Sequence, residues 1–208
     1  MPEKTAQKEP GKKPKPQQEV VIQIPLSELH PFPDHPFQVR EDASMQETAE
    51  SVKEYGVLVP ALARPREDGG YELIAGHRRK HACELAGLTT MPVIVRDIDR
   101  DAATIIMVDS NLQRENILPS ERAKAYKMKM EAIKRQGART DLTSPKISAK
   151  FRSDDEVGQD AGVSGDTIRN YIALTQLVPE LQQMVDEKKI ALSPAYQIAA
   201  LTPKEQGL

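Results

Sequence analysis

The chain contains no tryptophan, a single cysteine and only 4% aromatic residues among its 208. Nowhere does it approach the roughly 18 consecutive apolar residues that a membrane helix requires, so a helical membrane protein is excluded. One cysteine cannot form an internal disulfide, in keeping with a reducing compartment. No basic-then-apolar leader opens the sequence, and the expected setting is the cytoplasm. By contrast, proline and charge are plentiful, at sixteen prolines and 29% charged residues. Such a composition belongs to a segmented molecule with solvated connections.

The net charge of −2 conceals an uneven distribution. Between Pro119 and Arg152 stand ten Lys/Arg against three Asp/Glu, a basic segment inside an otherwise acidic chain. A localised positive footprint of this kind suits a phosphate backbone.

Residues 1–19 hold four prolines, five lysines and three glutamates with almost nothing apolar, and read as a disordered tail. VVIQIPL reads as a strand and HPFPDHPFQVR as an ordered loop. In DASMQETAESVKEYG, Met45, Ala49 and Val52 share a helical face, with Gly56 ending the helix. VLVPALARP and YELIA flank EDGG as a hairpin. A helix then runs from Gly76 to Leu85, MPVIVRD is a buried strand, and DRDAATIIMVDS is another helix. Residues 20 to about 117 therefore form an α+β domain. From Pro119 strand signals vanish; PSERAKAYKMKMEAIKRQG is a helix ending at Gly137, and residues 118–208 read as all-α.

Two segments carry chemistry. AGHRRKHACELAG places Gly76, Arg78 and Arg79 where a strand gives way to a helix. Unpaired N–H groups and the positive dipole end of that helix make an anion site, most plausibly for phosphate. SNLQREN adds Asn111 and Arg114 near a helix end, and the two together point to a nucleotide. SDDEVGQDAGVSGDTIRNYIALTQL reads as a helix-turn-helix over 154–174, with Ser153 and Glu156 as a capping box. Val157 and Ala161 face inward, Gly158 is small where helices cross, and Gly162 makes the turn. Ser164, Gly165, Asp166, Thr167, Arg169 and Asn170 are left on the outer side, within reach of base edges. Arg139, Lys146 and Lys150 of the basic segment are the expected phosphate contacts.

These residues resemble the ParB family of partition proteins over residues 20 to about 205. HPFQVR at 35–40 is similar to that family's N-P-Y-Q-P-R segment, AGHRRKHACELAG to its G-E-R-R-x-R-A box, and SNLQREN to its E-N-L-Q-R-E box. IALSPAYQIAAL is similar to the helix that closes the reader domain. The resemblance implies an N-terminal domain binding CTP with Mg²⁺, and a clamp that loads at a palindromic centromere-like site, closes around DNA and slides. By position, Gln38, Arg40, Gly76, His77, Arg78, Arg79, Ser110, Asn111 and Arg114 would bind the nucleotide. Ser110 and Asn111 would hold the metal, and Gln38 and His77 would stand at the reacting phosphate. Two departures are His77, where the box usually has an acid or threonine, and Ser110, where it has glutamate. Weakened or retuned CTP hydrolysis is the consequence expected of them.

The resemblance also implies self-association and residence at the nucleoid. Family members usually continue into a C-terminal dimerisation region, absent from this sequence. A ParA-type ATPase partner is left open, because no arginine precedes Arg40. The alternative is an enzyme on the same core, a nuclease or an ATP-using serine kinase relative. The helix-turn-helix favours the clamp, and the three boxes hold no carboxylate cluster for a nuclease. A zinc site at His77, His81 and Cys83 is disfavoured by the cations Arg78, Arg79 and Lys80 between them. Sulfiredoxin chemistry is disfavoured as well, since Cys83 lies about two turns beyond the box and reads as a buried core residue.

Overall fold

A computed structural model describes residues 19–114, 116–140 and 153–207. Five strands, β1 (Val21–Pro25), β2 (Leu29–Pro31), β3 (Ala61–Pro65), β4 (Tyr71–Ala75) and β5 (Thr90–Val95), form one mixed sheet in the order β1-β5-β3-β4-β2. β3 and β4 pair antiparallel across the EDGG turn, as the hairpin reading expects. β2 overlaps the start of the segment read as loop, at His30 and Pro31. Three residues are too few for a period-two signal, and it forms because β4 offers an edge for parallel pairing.

Helix α1 (Ala43–Tyr55) is capped by Asp42, whose carboxylate accepts from Met45 N at 2.9 Å, and it ends at Gly56 with φ +71°. With α2 (His77–Leu85) it covers one sheet face, burying Met45, Val52, Ala82 and Cys83 against Ile24, Leu73 and Val93. The other face carries α3 (Arg100–Leu112) and α4 (Pro119–Thr140), which enclose Phe32, Phe37, Ile74, Met107 and Ala125. Leu73 and Ile74, adjacent in β4, enter opposite cores, as strand alternation requires.

α4 runs three residues past Gly137, and its 22 residues are shared by both halves of the chain. Ala125 belongs to the sheet-side core. Ala123 packs with Leu174, Leu177 and Val185, and Tyr126 packs with Val157 and Ile168. Around α4 lie α5 (Ser153–Ala161), α6 (Gly165–Ala173), α7 (Pro179–Asp186), α8 (Leu192–Ile198) and the short α9 (Pro203–Gln206). No helix among the described residues is long and apolar enough to cross a membrane. The tail reading falls on residues outside those described, apart from Glu19, which accepts a hydrogen bond from Arg96 Nε at 3.0 Å.

Candidate functional site

β4 delivers the chain to Gly76, whose φ of +112° is left-handed backbone and whose Cβ, if present, would stand 2.8 Å from Ala61 Cβ. Only glycine meets both demands. No side chain caps α2, which leaves its first-turn N–H groups for an outside acceptor. The two box arginines then part company. Arg78 reaches across to α1, donating to Ser44 Oγ at 3.2 Å and standing 3.7 Å from Asp42. Arg79 turns the other way and donates to the carbonyls of Val59 and Pro60 at 2.5 and 2.6 Å. It therefore braces the segment entering β3, where sequence alone placed it on the phosphate.

His77 packs against His35, ring centroids 3.9 Å apart. Phe32 N–H points at His77 Nε2 across 3.5 Å, so that nitrogen is the acceptor and Nδ1 carries the proton. His35 Nδ1 lies 2.7 Å from the Phe37 carbonyl, which can only accept, so the His35 proton is on Nδ1. Its Nε2 is buried without a partner among the described residues. Burial, then the neighbouring His35, Arg114 and Lys80, lowers the His77 pKa to about 3. Burial lowers that of His35 also. Both shifts favour the neutral ring at pH 7, which leaves the His77 Nδ1 proton as a hydrogen-bond donor toward an anion.

Beside this pair opens a cleft of about 350 Å³, walled by Gln38, Arg40, Arg78, Arg114, Asp42 and Glu121. Four expected ligand residues thus converge. Arg114 has its basicity lowered by desolvation first and then by the charge of Arg78, with Glu121 working the other way. Glu121, at the third position of α4, was missed by sequence reasoning. It is buried, accepts from Gln38 N and Leu118 N at 3.1 Å each, and lies 3.8 Å from Arg40. The available signal was a third-position glutamate after Pro119, half of a capping box.

Ser110 and Asn111 do not wall the cleft. Ser110 is exposed and donates to Met107 O at 3.0 Å. Asn111 is buried; its amide nitrogen donates to Met107 O at 2.8 Å, and its Oδ1 has no partner among the described residues. Among those residues no three His, Cys, Asp or Glu gather to hold a metal ion. His81 lies against Glu41 and Glu84, away from the neighbours of His77. Cys83 is fully buried in the sheet core, its thiol pKa raised chiefly by burial.

In the helical half, Gly158 and Gly162 act as the spacing implied. A Cβ on Gly158 would stand 2.6 Å from Val163 O, and Gly162 adopts φ +68°. Ile168 is completely buried against Val157 and Tyr126. Ser164 caps α6 by accepting from Thr167 N at 3.2 Å. Asp166, Arg169 and Asn170 are exposed and Thr167 is half-buried. Gly165 is buried instead of outward, because any side chain there would overlap Asp155 of α5. Arg169 pairs with both Asp154 and Asp166, so its charge is already engaged within the fold.

The basic footprint contracts too. Lys129 is buried between Asp109 and Asp160, and Arg135 bonds Asp101 at 2.7 Å. Arg122 lies 5.7 Å over the Tyr171 ring. Helix periodicity turns Lys129 inward, and the ion pair of Arg135 and the ring contact of Arg122 engage charge that a count treats as free. The Arg139 side chain, Lys146, Lys150 and the Ser153 cap lie outside the described residues.

An α+β domain with an arginine-walled cleft near a strand-to-helix glycine, joined through one helix to a helix-turn-helix domain, defines the class of fold. Residues 11–112 match the ParB N-terminal domain and residues 145–208 the ParB HTH domain. The chain belongs to the ParB family. It is 34% identical over 187 residues to the chromosome-partitioning protein Spo0J of Thermus thermophilus, covering 89% of this chain and 62% of that protein. It spans about half to three-fifths of the length of the curated relatives it matches. A C-terminally truncated ParB from Caulobacter crescentus, complexed to the centromeric parS site, superposes with a TM-score of 0.55 at 27% identity over 88% of each chain. A Pnob8-like ParB N-domain gives a TM-score of 0.60 at 17% identity, over 91% of this chain and 88% of that one, a likeness of fold alone.

Proposed function

We propose that this chain binds a palindromic centromere-like duplex and that CTP with Mg²⁺, held in the cleft, gates that grip as a sliding clamp. The observation carrying this reading is the convergence of Arg40, Arg78, Arg114 and Gln38 on one cleft next to the uncapped start of α2. Three guanidiniums beside one cleft, only partly offset by Asp42 at 3.7 Å from Arg78 and Glu121 at 3.8 Å from Arg40, suit an anion of several charges, and a triphosphate supplies it. The donors suit the metal as well. Asn111 Oδ1 is a buried oxygen with an open lone pair, while Ser110 Oγ accepts from the Asn111 amide nitrogen at 3.3 Å, and both would have to turn toward the cleft to reach a metal bound there. Magnesium takes such oxygen ligands, and it would neutralise phosphate charge there. Neither ligand is a carboxylate and His77 is neutral, which supports binding with slow hydrolysis.

The parS complex of the Caulobacter relative supports duplex binding by this chain, and α6 is the helix best placed to read it. Ser164, Asp166, Arg169 and Asn170 are the side chains offered to base edges, with Thr167 beside them. A palindrome calls for two copies related by a twofold axis, hence self-association at the nucleoid.

Isothermal titration with CTP and ATP, each with Mg²⁺, tests the nucleotide. CTP alone binding supports the clamp, whereas ATP alone would replace it with the kinase-like alternative. Selection from a random duplex library should yield one palindrome. Phosphate release in its presence should stay slow, and rapid turnover would refute the hydrolysis half.

A further inference from the structure

Lys129 lies midway along α4 with its side chain only 1% exposed. Its Nζ donates to Asp109 Oδ1 on α3 at 2.6 Å and to Asp160 Oδ2 on α5 at 2.8 Å. Burial works against the ammonium charge, but the two carboxylates prevail and raise its pKa. One buried cation is thus shared between the helix that carries Ser110 and Asn111 and the first helix of the helix-turn-helix.

The arrangement is unequal in a useful way. Asp109 and Asp160 are 46% and 55% exposed, and a cavity of about 530 Å³ opens beside them, walled partly by Arg122 and Tyr126. Either carboxylate can turn into water at little cost. Lys129 cannot, because a buried ammonium stripped of both partners is strongly unfavourable. An apolar side chain would fill the same space without preferring one position of α3 over another. The ion pairs impose a register on α3, α4 and α5, with Lys129 held by both carboxylates.

We propose that Lys129 is a positioning residue that transmits movement of the Ser110–Asn111 turn to the reader helices, by keeping or releasing Asp109. The inference rests on the nucleotide reading above. Asp109 directly precedes Ser110, so any repositioning of that turn around a bound metal and triphosphate acts on the Asp109–Lys129 bond first. Asp160 lies two residues before the Gly162 turn, so the other end of the bridge holds the base of α6.

The test uses the full chain, CTP with Mg²⁺, and the duplex recovered by selection. The readouts are CTP affinity by titration, thermal melting, and the rate of duplex dissociation with and without CTP. Wild type should change its dissociation rate about tenfold on adding CTP. Lys129→Met should keep CTP affinity within about threefold yet show less than about a twofold change in rate. Lys129→Arg should restore the response, and Asp109→Asn, which leaves the ammonium paired with Asp160, should reproduce its loss. Should Lys129→Met fail to fold, Asp109→Asn decides the matter alone. A full wild-type response in either folded variant overturns the assignment of Lys129 only. No CTP binding by wild type overturns the nucleotide reading and this inference with it.

Discussion

Gly76, His77, Arg78 and Arg79 are neighbours in sequence with four different tasks. Gly76 was legible, because a strand-to-helix turn in left-handed backbone leaves little choice of residue. The split between Arg78 and Arg79 was not, since their acceptors, Ser44 and the Val59 and Pro60 carbonyls, come from segments 19 to 34 residues away. His77 carries a pH prediction. In the unfolded chain it takes a proton near its ordinary pKa of 6.5, but the folded pKa is about 3. The unfolded state therefore binds more protons between those values, and stability is complete above the upper one and lost as pH falls. From about pH 6.5 to pH 5 the loss approaches ~1.4 kcal/mol per pH unit. Denaturant titrations at pH values across that range should show at least this slope, and His77→Asn should lessen it, His35 keeping a share of its own. A wild-type profile flat over that range would contradict the burial argument.

At the scale of elements, the helix-turn-helix was the most readable part. Gly158, Gly162, Val157 and Ile168 are related through spacing alone, and spacing decides how two helices cross at a turn. Gly158→Ala would press a methyl to 2.6 Å from the Val163 carbonyl, backbone that cannot swing aside. Overpacking of this kind costs about 1–3 kcal/mol. The variant should lose duplex binding in an anisotropy assay while titrating CTP as wild type does. Unchanged duplex affinity would show that α5 and α6 can separate at no cost. Gly165 misled the reading, because its outward position by helical phase is overruled by Asp155 of the preceding helix. β2 escaped it altogether, being defined by its pairing with β4 and not by its own three residues.

The whole molecule is organised around α4. Sequence suggested a boundary near residue 117, where strand signals stop, yet Ala125 and Met128 pack onto the cluster of Phe32, Phe37 and Met107. The nucleotide half thus borrows part of its core from the helix that also supports the reader half. A fragment of residues 19–118 should melt at a lower temperature than one of residues 19–140, by several degrees if about 2 kcal/mol of apolar cover is lost. Equal melting temperatures by circular dichroism would mean that the sheet domain closes its own core.

The sequence by itself determined what depends on neighbours along the chain: the glycine turns, the hairpin, the spacing of the helix-turn-helix and the order of the boxes. Backbone sterics and apolar periodicity act over a few residues, so a few residues suffice to read them. Only the tertiary structure decided which arginines face the cleft, that Glu121 joins them, and that Lys129 is buried between two aspartates and withheld from DNA. Each of those outcomes rests on hydrogen bonds and desolvation between segments brought together by folding, and no local pattern encodes who the distant partner will be.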